Sequence, residues 1–179
     1  RELLEQIGVS YDVLSVNVEE CQQSSEAATD YVQRLSLEKA LAGAALVSDR
    51  PVLGADTIVV LGDDVLEKPL SEDHAVAMLL RLSGHTHQVM TAVSLVFQAQ
   101  QRTCINVTSV TFRAISDAEA RRYWLSGEPK DKAGAYGIQG LGAVFVEHIE
   151  GSYSSVVGLP LFETSALLAD FGVSMWSSK

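Results

Sequence analysis

Apolar and polar positions along this chain follow two periods, and the switches between them mark its elements. Leu3, Leu4 and Ile7 keep the spacing of a helix face, and Gly8 follows as a stop. "YDVLSV", residues 11–16, alternates with a period of two and predicts a short strand, followed by the acidic turn "NVEEC". From Ser24 to Val47 the pattern is helical again. Ala28, Tyr31, Val32 and Leu35 share one face, and Leu37, Ala40, Leu41, Ala44 and Ala45 continue it after a break expected near Ser36. "PVLGADTIVVL", residues 51–61, is too continuous and too β-branched for a surface helix and predicts a buried strand. "GDD" then turns into a second short strand, "VLEKP".

Ser71 suits an N-cap, with Glu72 and Asp73 in the first turn where the helix dipole favours acids. Ala75, Met78, Leu79 and Leu82 would face inward, and Gly84 would end that helix. "QVMTAVSLVFQ" and "TCINVTSVTFR" predict strands joined as a hairpin through "AQQR". "SDAE" at Ser116–Glu119 is a capping box opening a helix through Trp124, with Gly127 as its stop. After the glycine-rich stretch "DKAGAYGIQGLG", residues 131–142, come a strand "GAVFVEHI" and a turn at Glu150-Gly151. A closing amphipathic helix follows, carrying Phe162, Leu167, Leu168 and Phe171. Mixed helices and strands, with both crossover-like and hairpin connections, predict an α/β or α+β fold around a mixed sheet.

Composition narrows the class. The 179 residues suffice for one domain or two lobes sharing a core. A net charge of −10, from 13 Lys+Arg against 23 Asp+Glu, lacks the basic footprint that a nucleic-acid backbone requires. No apolar run is long enough to span a bilayer, and no basic-then-apolar leader opens the chain, so neither a membrane partner nor secretion is expected. Cys21 and Cys104 are too few for a disulfide framework and read as reduced thiols of a cytoplasmic protein.

Against this background a few residues stand out. Asp56 interrupts the apolar run from Val52 to Leu61, and a buried carboxylate is costly unless paired, hydrogen-bonded or metal-bound. Gly54 and Ala55 keep its approach open, and Thr57 points to the opposite face of a regular strand. Glu19-Glu20 alone reads as a solvated corner; with Glu20 brought near Asp56, the two would supply oxygen ligands for Mg²⁺ or Mn²⁺. Lys39, Lys68 and Lys132 each adjoin a structural break, and together they would cradle phosphates in a chain short of positive charge. His85 and His87 lack further metal ligands nearby and read as a satisfied or exposed pair. In the glycine stretch, either several turns need positive φ, or bare backbone faces a flat ligand whose edge Gln139 reads through its amide. No P-loop, Rossmann fingerprint or nucleophile elbow occurs.

Taken in order, "RELLEQIG", "LEKA", "GADTIV", "LEKP", "AMLLRLSGHTHQVMTAV", "TFR", "GEPKDKAGAYGIQG" and "GSYSSVVGLPLFET" resemble the Maf family of nucleoside triphosphate pyrophosphatases, nearly end to end. The resemblance implies one Maf-like domain over residues 1–179: an elongated mixed sheet flanked by helices, in two lobes with the nucleotide in a central cleft. It implies metal-dependent hydrolysis of a nucleoside triphosphate to monophosphate and pyrophosphate, with Asp56 as proton acceptor and Glu20 and Asp56 on the metal. Lys39, Lys68 and Lys132 would hold the phosphates. "ADT" and "GIQG" resemble the subgroup preferring dTTP and UTP, with Thr57 and Gln139 as specificity positions and modified nucleotides as a further substrate class. The family's Ser-x-Ser-Pro-Arg-Arg segment would precede Arg1, and with it an initial strand and phosphate-binding loop. A different class, a non-enzymatic nucleotide-sensing regulator of septum formation, is the alternative reading. A homodimer joined through the apolar residues of "SYSSVVGLPLF" is a further expectation.

Overall fold

The computed structural model describes residues 2–176; Arg1, with which the first expected helix opens, lies outside them. Helix α1, Glu2–Gln6, buries Leu3, and Gly8 at φ +69° lets the Val9 N–H return to the Leu4 carbonyl at 3.0 Å. Helix α2 spans Ala28–Ala44, and strands β1, Val52–Leu61, and β2, Asp64–Leu66, form a tight hairpin. Helix α3, Glu72–Leu82, is capped by Ser71, whose hydroxyl accepts the His74 N–H. Strands β3, Thr86–Phe97, and β4, Gln100–Phe112, follow. Helix α4, Asp117–Leu125, carries the complete capping box between Ser116 and Glu119. Three 3₁₀ turns, Glu128–Asp131, Ala133–Ala135 and Leu141–Phe145, lead into β5, Val146–Glu150. Helices α5, Tyr153–Val157, and α6, Leu161–Asp170, complete the described elements.

The five strands lie in the order β2-β1-β3-β4-β5 in an antiparallel sheet flanked by helices. The sheet and its helices are the expected α/β arrangement, with strand directions more uniform than the mixed sheet anticipated. The chain divides into two compact units. Within the described residues, one holds 2–56, 91–106 and 158–176, and the other 57–90 and 107–157. The first has a core cluster of Val9, Leu95 and Leu168, packed by Leu4, Ile7, Leu53 and Phe171. In the second, Val59, Leu79, Leu82, Val89, Val110, Phe112, Tyr136 and Phe145 form a larger one.

Four local expectations are corrected. Residues 11–16 are not a strand: Val13 and Leu14 are exposed, so the alternation has no buried face to direct it. Helix α2 does not break near Ser36, because that hydroxyl bonds the Gln33 carbonyl at 2.9 Å and the Ser94 hydroxyl at 2.8 Å, leaving no orphan polar group. The strand expected from Gly142 begins only at Val146, since the N–H groups of Leu141 and Gly142 go to the Glu128 carboxylate instead of a ladder. In α6, Thr164, Leu167 and Leu168 are buried, whereas Phe162 is 83% exposed, two positions out of phase with that face.

Candidate active site

Gly54 sets the first part of the site. A Cβ there would collide with the Ser36 carbonyl and the Ala40 nitrogen, so only glycine allows the α2 backbone this close to β1. The close contact brings Lys39, on α2, against Asp56, on β1. The Lys39 ammonium lies 2.5 Å from Asp56 Oδ1 and 2.6 Å from Glu20 Oε1. Three residues far apart in sequence, each singled out there, thus meet around one nitrogen. Their polar ends are only partly solvated, with Asp56 the most enclosed at 12% side-chain exposure. Burial disfavours the charge on Lys39, but the hydrogen bonds to Asp56 and Glu20 outweigh it and raise its pKa. The ammonium therefore stays charged between the two carboxylates.

Glu20 reaches this point from a segment without regular structure, and an arginine anchors that segment. Arg34 Nε and Nη2 grip the Glu26 carboxylate at 2.6 and 2.8 Å, Nη2 also donates to the Cys21 carbonyl at 3.0 Å, and Nη1 reaches Glu38. Glu26 in turn accepts the Gln23 N–H at 2.9 Å. Its pKa falls to about 2, chiefly through the Arg34 hydrogen bond. The turn directly after Glu20 is therefore pinned to the helix that carries Lys39. Sequence reasoning missed Arg34; the available signal was the arginine four residues before Glu38 on a helix, facing an acidic turn.

Lys39 also borders a cavity of about 770 Å³ lined mainly by apolar residues, among them Val9, Val13, Leu14, Val52 and Leu95. Among the described residues no group of three or more His, Cys, Asp and Glu side chains forms a metal cluster. Two carboxylate oxygens converging on one cation nevertheless fit a hard divalent ion of the kind held by one or two carboxylates plus substrate phosphates.

The remaining sequence-predicted residues belong to the second unit. Thr57 follows Asp56 on β1 and is half-buried, Lys68 is exposed, and Lys132 contacts Asp131 at 3.1 Å. The Gly134 N–H donates to the Glu67 carbonyl at 3.2 Å, which brings the chain beside Lys132 next to the chain beside Lys68. Gln139 is exposed on the glycine loop. That loop closes on two side chains the sequence did not single out. Glu128 accepts the Leu141 N–H at 2.8 Å, the Gly142 N–H at 3.0 Å and the Tyr123 hydroxyl at 2.6 Å. Tyr123 accepts the Gly137 N–H at 3.0 Å. Burial works to raise the Glu128 pKa, but the hydrogen bonds from Tyr123, Gly142 and Leu141 prevail and lower it. His85 and His87 part company. His85 is exposed, whereas His87 is buried edge-on to Phe112 and Tyr136, with Nε2 2.9 Å from the Tyr136 hydroxyl.

These geometries fall in a chain that matches the Maf-like protein family over residues 1–171, and the protein belongs to that family. A protein of Saccharophagus degradans is 58% identical over 99% of this chain and 87% of its own length, and is named dTTP/UTP pyrophosphatase. Proteins of Vibrio parahaemolyticus and Escherichia coli O157:H7 carry the same name. Both are 55% identical over 96% of this chain, covering 91% and 87% of their own lengths. No described helix is long and apolar enough to cross a membrane.

Proposed function

We propose that this protein is a cytoplasmic nucleoside triphosphate pyrophosphatase that converts dTTP or UTP and water to the nucleoside monophosphate and pyrophosphate. What supports the reading is the meeting of Glu20, Lys39 and Asp56 in a Maf-family chain whose relatives bear that enzyme name. A triphosphate brings about four negative charges, so catalysis is mainly positioning and charge stabilisation. Asp56, enclosed and held by Lys39, accepts a proton from the water that attacks the α-phosphorus. The new bond forms from water oxygen to phosphorus, the bond to the bridging oxygen breaks, and pyrophosphate leaves with that electron pair. Lys39 exchanges a carboxylate contact for phosphate oxygens as the substrate enters. Lys68 and Lys132 are assigned to the phosphates, and Thr57 and Gln139 to the base. A divalent cation, Mg²⁺ or Mn²⁺, held by Glu20 and Asp56, would neutralise phosphate charge and acidify a bound water.

A panel of nucleoside triphosphates with Mg²⁺, assayed separately for pyrophosphate, orthophosphate and monophosphate, tests the reading. Pyrophosphate and monophosphate in equal amounts from dTTP and UTP, with little from ATP or GTP, are expected. Release of orthophosphate, or binding without turnover, would overturn it.

A further inference from the structure

We propose that Glu128 and Tyr123 are positioning residues that hold the glycine loop so that Gln139 presents its amide to the base, and that the glycine spacing serves this clamp. The inference rests on the assignment of Gln139 to the base made above.

Gln139 lies between two fixed points. On one side the Gly137 N–H is tied to the Tyr123 hydroxyl at 3.0 Å; on the other, the Leu141 and Gly142 N–H groups are tied to the two Glu128 oxygens at 2.8 and 3.0 Å. The Tyr123 hydroxyl donates to Glu128 at 2.6 Å, so both fixed points share one hydrogen-bonded pair. Between them the Gly140 N–H closes back on the Gly137 carbonyl at 3.4 Å. Two of the glycines face the same pair. A Cβ at Gly140 would fall on the Glu128 carboxylate and one at Gly142 would stand 2.6 Å from the Tyr123 oxygen, whereas one at Gly137 would meet the Lys132 methylenes first, at 2.9 Å, with Glu128 Oε1 at 3.2 Å. The bare backbone at these positions is therefore filled from within, by a carboxylate, a phenol and the stem of Lys132. An exposed amide between two anchors gains the preorganisation that a reading group on a loop otherwise lacks.

Glu128→Gln keeps the side-chain shape and removes the charge; Tyr123→Phe removes one hydroxyl. Each is measured alone and combined with Gln139→Ala, reading kcat/KM for dTTP against dCTP, which differ at the edge an amide would read. Each single variant is expected to lower the dTTP preference about tenfold, and to add less than about twofold in the Gln139→Ala background. Amide exchange at Leu141 and Gly142 is expected to quicken in Glu128→Gln. Wild-type turnover with an unchanged preference in both folded variants overturns the clamp, as does a loss that adds in full to that of Gln139→Ala. Should Glu128→Gln not fold, Tyr123→Phe decides by the same readings. Absence of dTTP turnover in the wild type overturns the base assignment itself, and the clamp's role with it.

Discussion

At the scale of single residues, Lys39 does two things with one ammonium. It pairs with the enclosed Asp56, and it contacts Glu20, which lies on a segment that lacks regular secondary structure but is anchored by Arg34. Removing it leaves two carboxylates facing each other in a partly buried place, where like charges disfavour ionisation. Lys39→Met is therefore expected to cost about 1–3 kcal/mol at pH 7. Urea midpoints of variant and wild type at pH 7 check this, and an unchanged midpoint would contradict it. The exposed ion pairs of Arg50 with Asp12 and Asp49 carry no comparable weight, since solvent screens them.

At the scale of elements, the site depends on how closely α2 approaches β1. Gly54→Ala is expected to destabilise the protein by about 2–3 kcal/mol, because the added carbon meets helix backbone that cannot rotate away. It should also reduce turnover of the fraction that remains folded, since Lys39 moves with the helix. Denaturation midpoints and pyrophosphate release measured together separate the two effects; unchanged values for both would show that the contact is not needed. The same contact shows what sequence reasoning could reach. The sequence suggests that Gly54 keeps the approach to Asp56 open; in the fold the α2 backbone fills the space over Gly54. The capping residues Ser71 and Ser116, the stops at Gly8, Gly84 and Gly127, and β1 with its interrupting aspartate follow from local chemistry and were legible. Residues 11–16 and 142–145 were not. Their alternating pattern is local, while their backbone partners are set by tertiary contacts, absent for the first and supplied by Glu128 for the second. The family resemblance implies the pairing of Glu20 with Asp56; the seat of Lys39 between them, and the Arg34 and Glu128 anchors, are properties of the fold.

At the scale of the whole molecule, acid stability carries the mark of one buried histidine. Burial against Phe112 and Tyr136 lowers the His87 pKa from its ordinary value of 6.5 to about 4. Between those values the unfolded chain binds a proton that the folded chain refuses, so stability falls as the pH falls through this window. The loss attributable to His87 between pH 7 and pH 5 is expected to be about 2 kcal/mol. A folded His87→Phe variant should show a correspondingly flatter profile in chemical denaturation; an identical slope would contradict the assignment. The net charge of −10 frames the function at this scale as well. An acidic protein that handles an anionic substrate needs its cations gathered locally, and Lys39 lies directly on the enclosed Asp56 and the more exposed Glu20.

The most direct test of the account is pyrophosphate release from dTTP by Asp56→Asn at saturating Mg²⁺, with the variant's fold matched to wild type by its denaturation midpoint. Loss of the proton acceptor is expected to lower kcat by about 10²–10⁴-fold with substrate binding largely retained. Turnover near the wild-type rate would remove Asp56 from the chemistry and contradict the site described here.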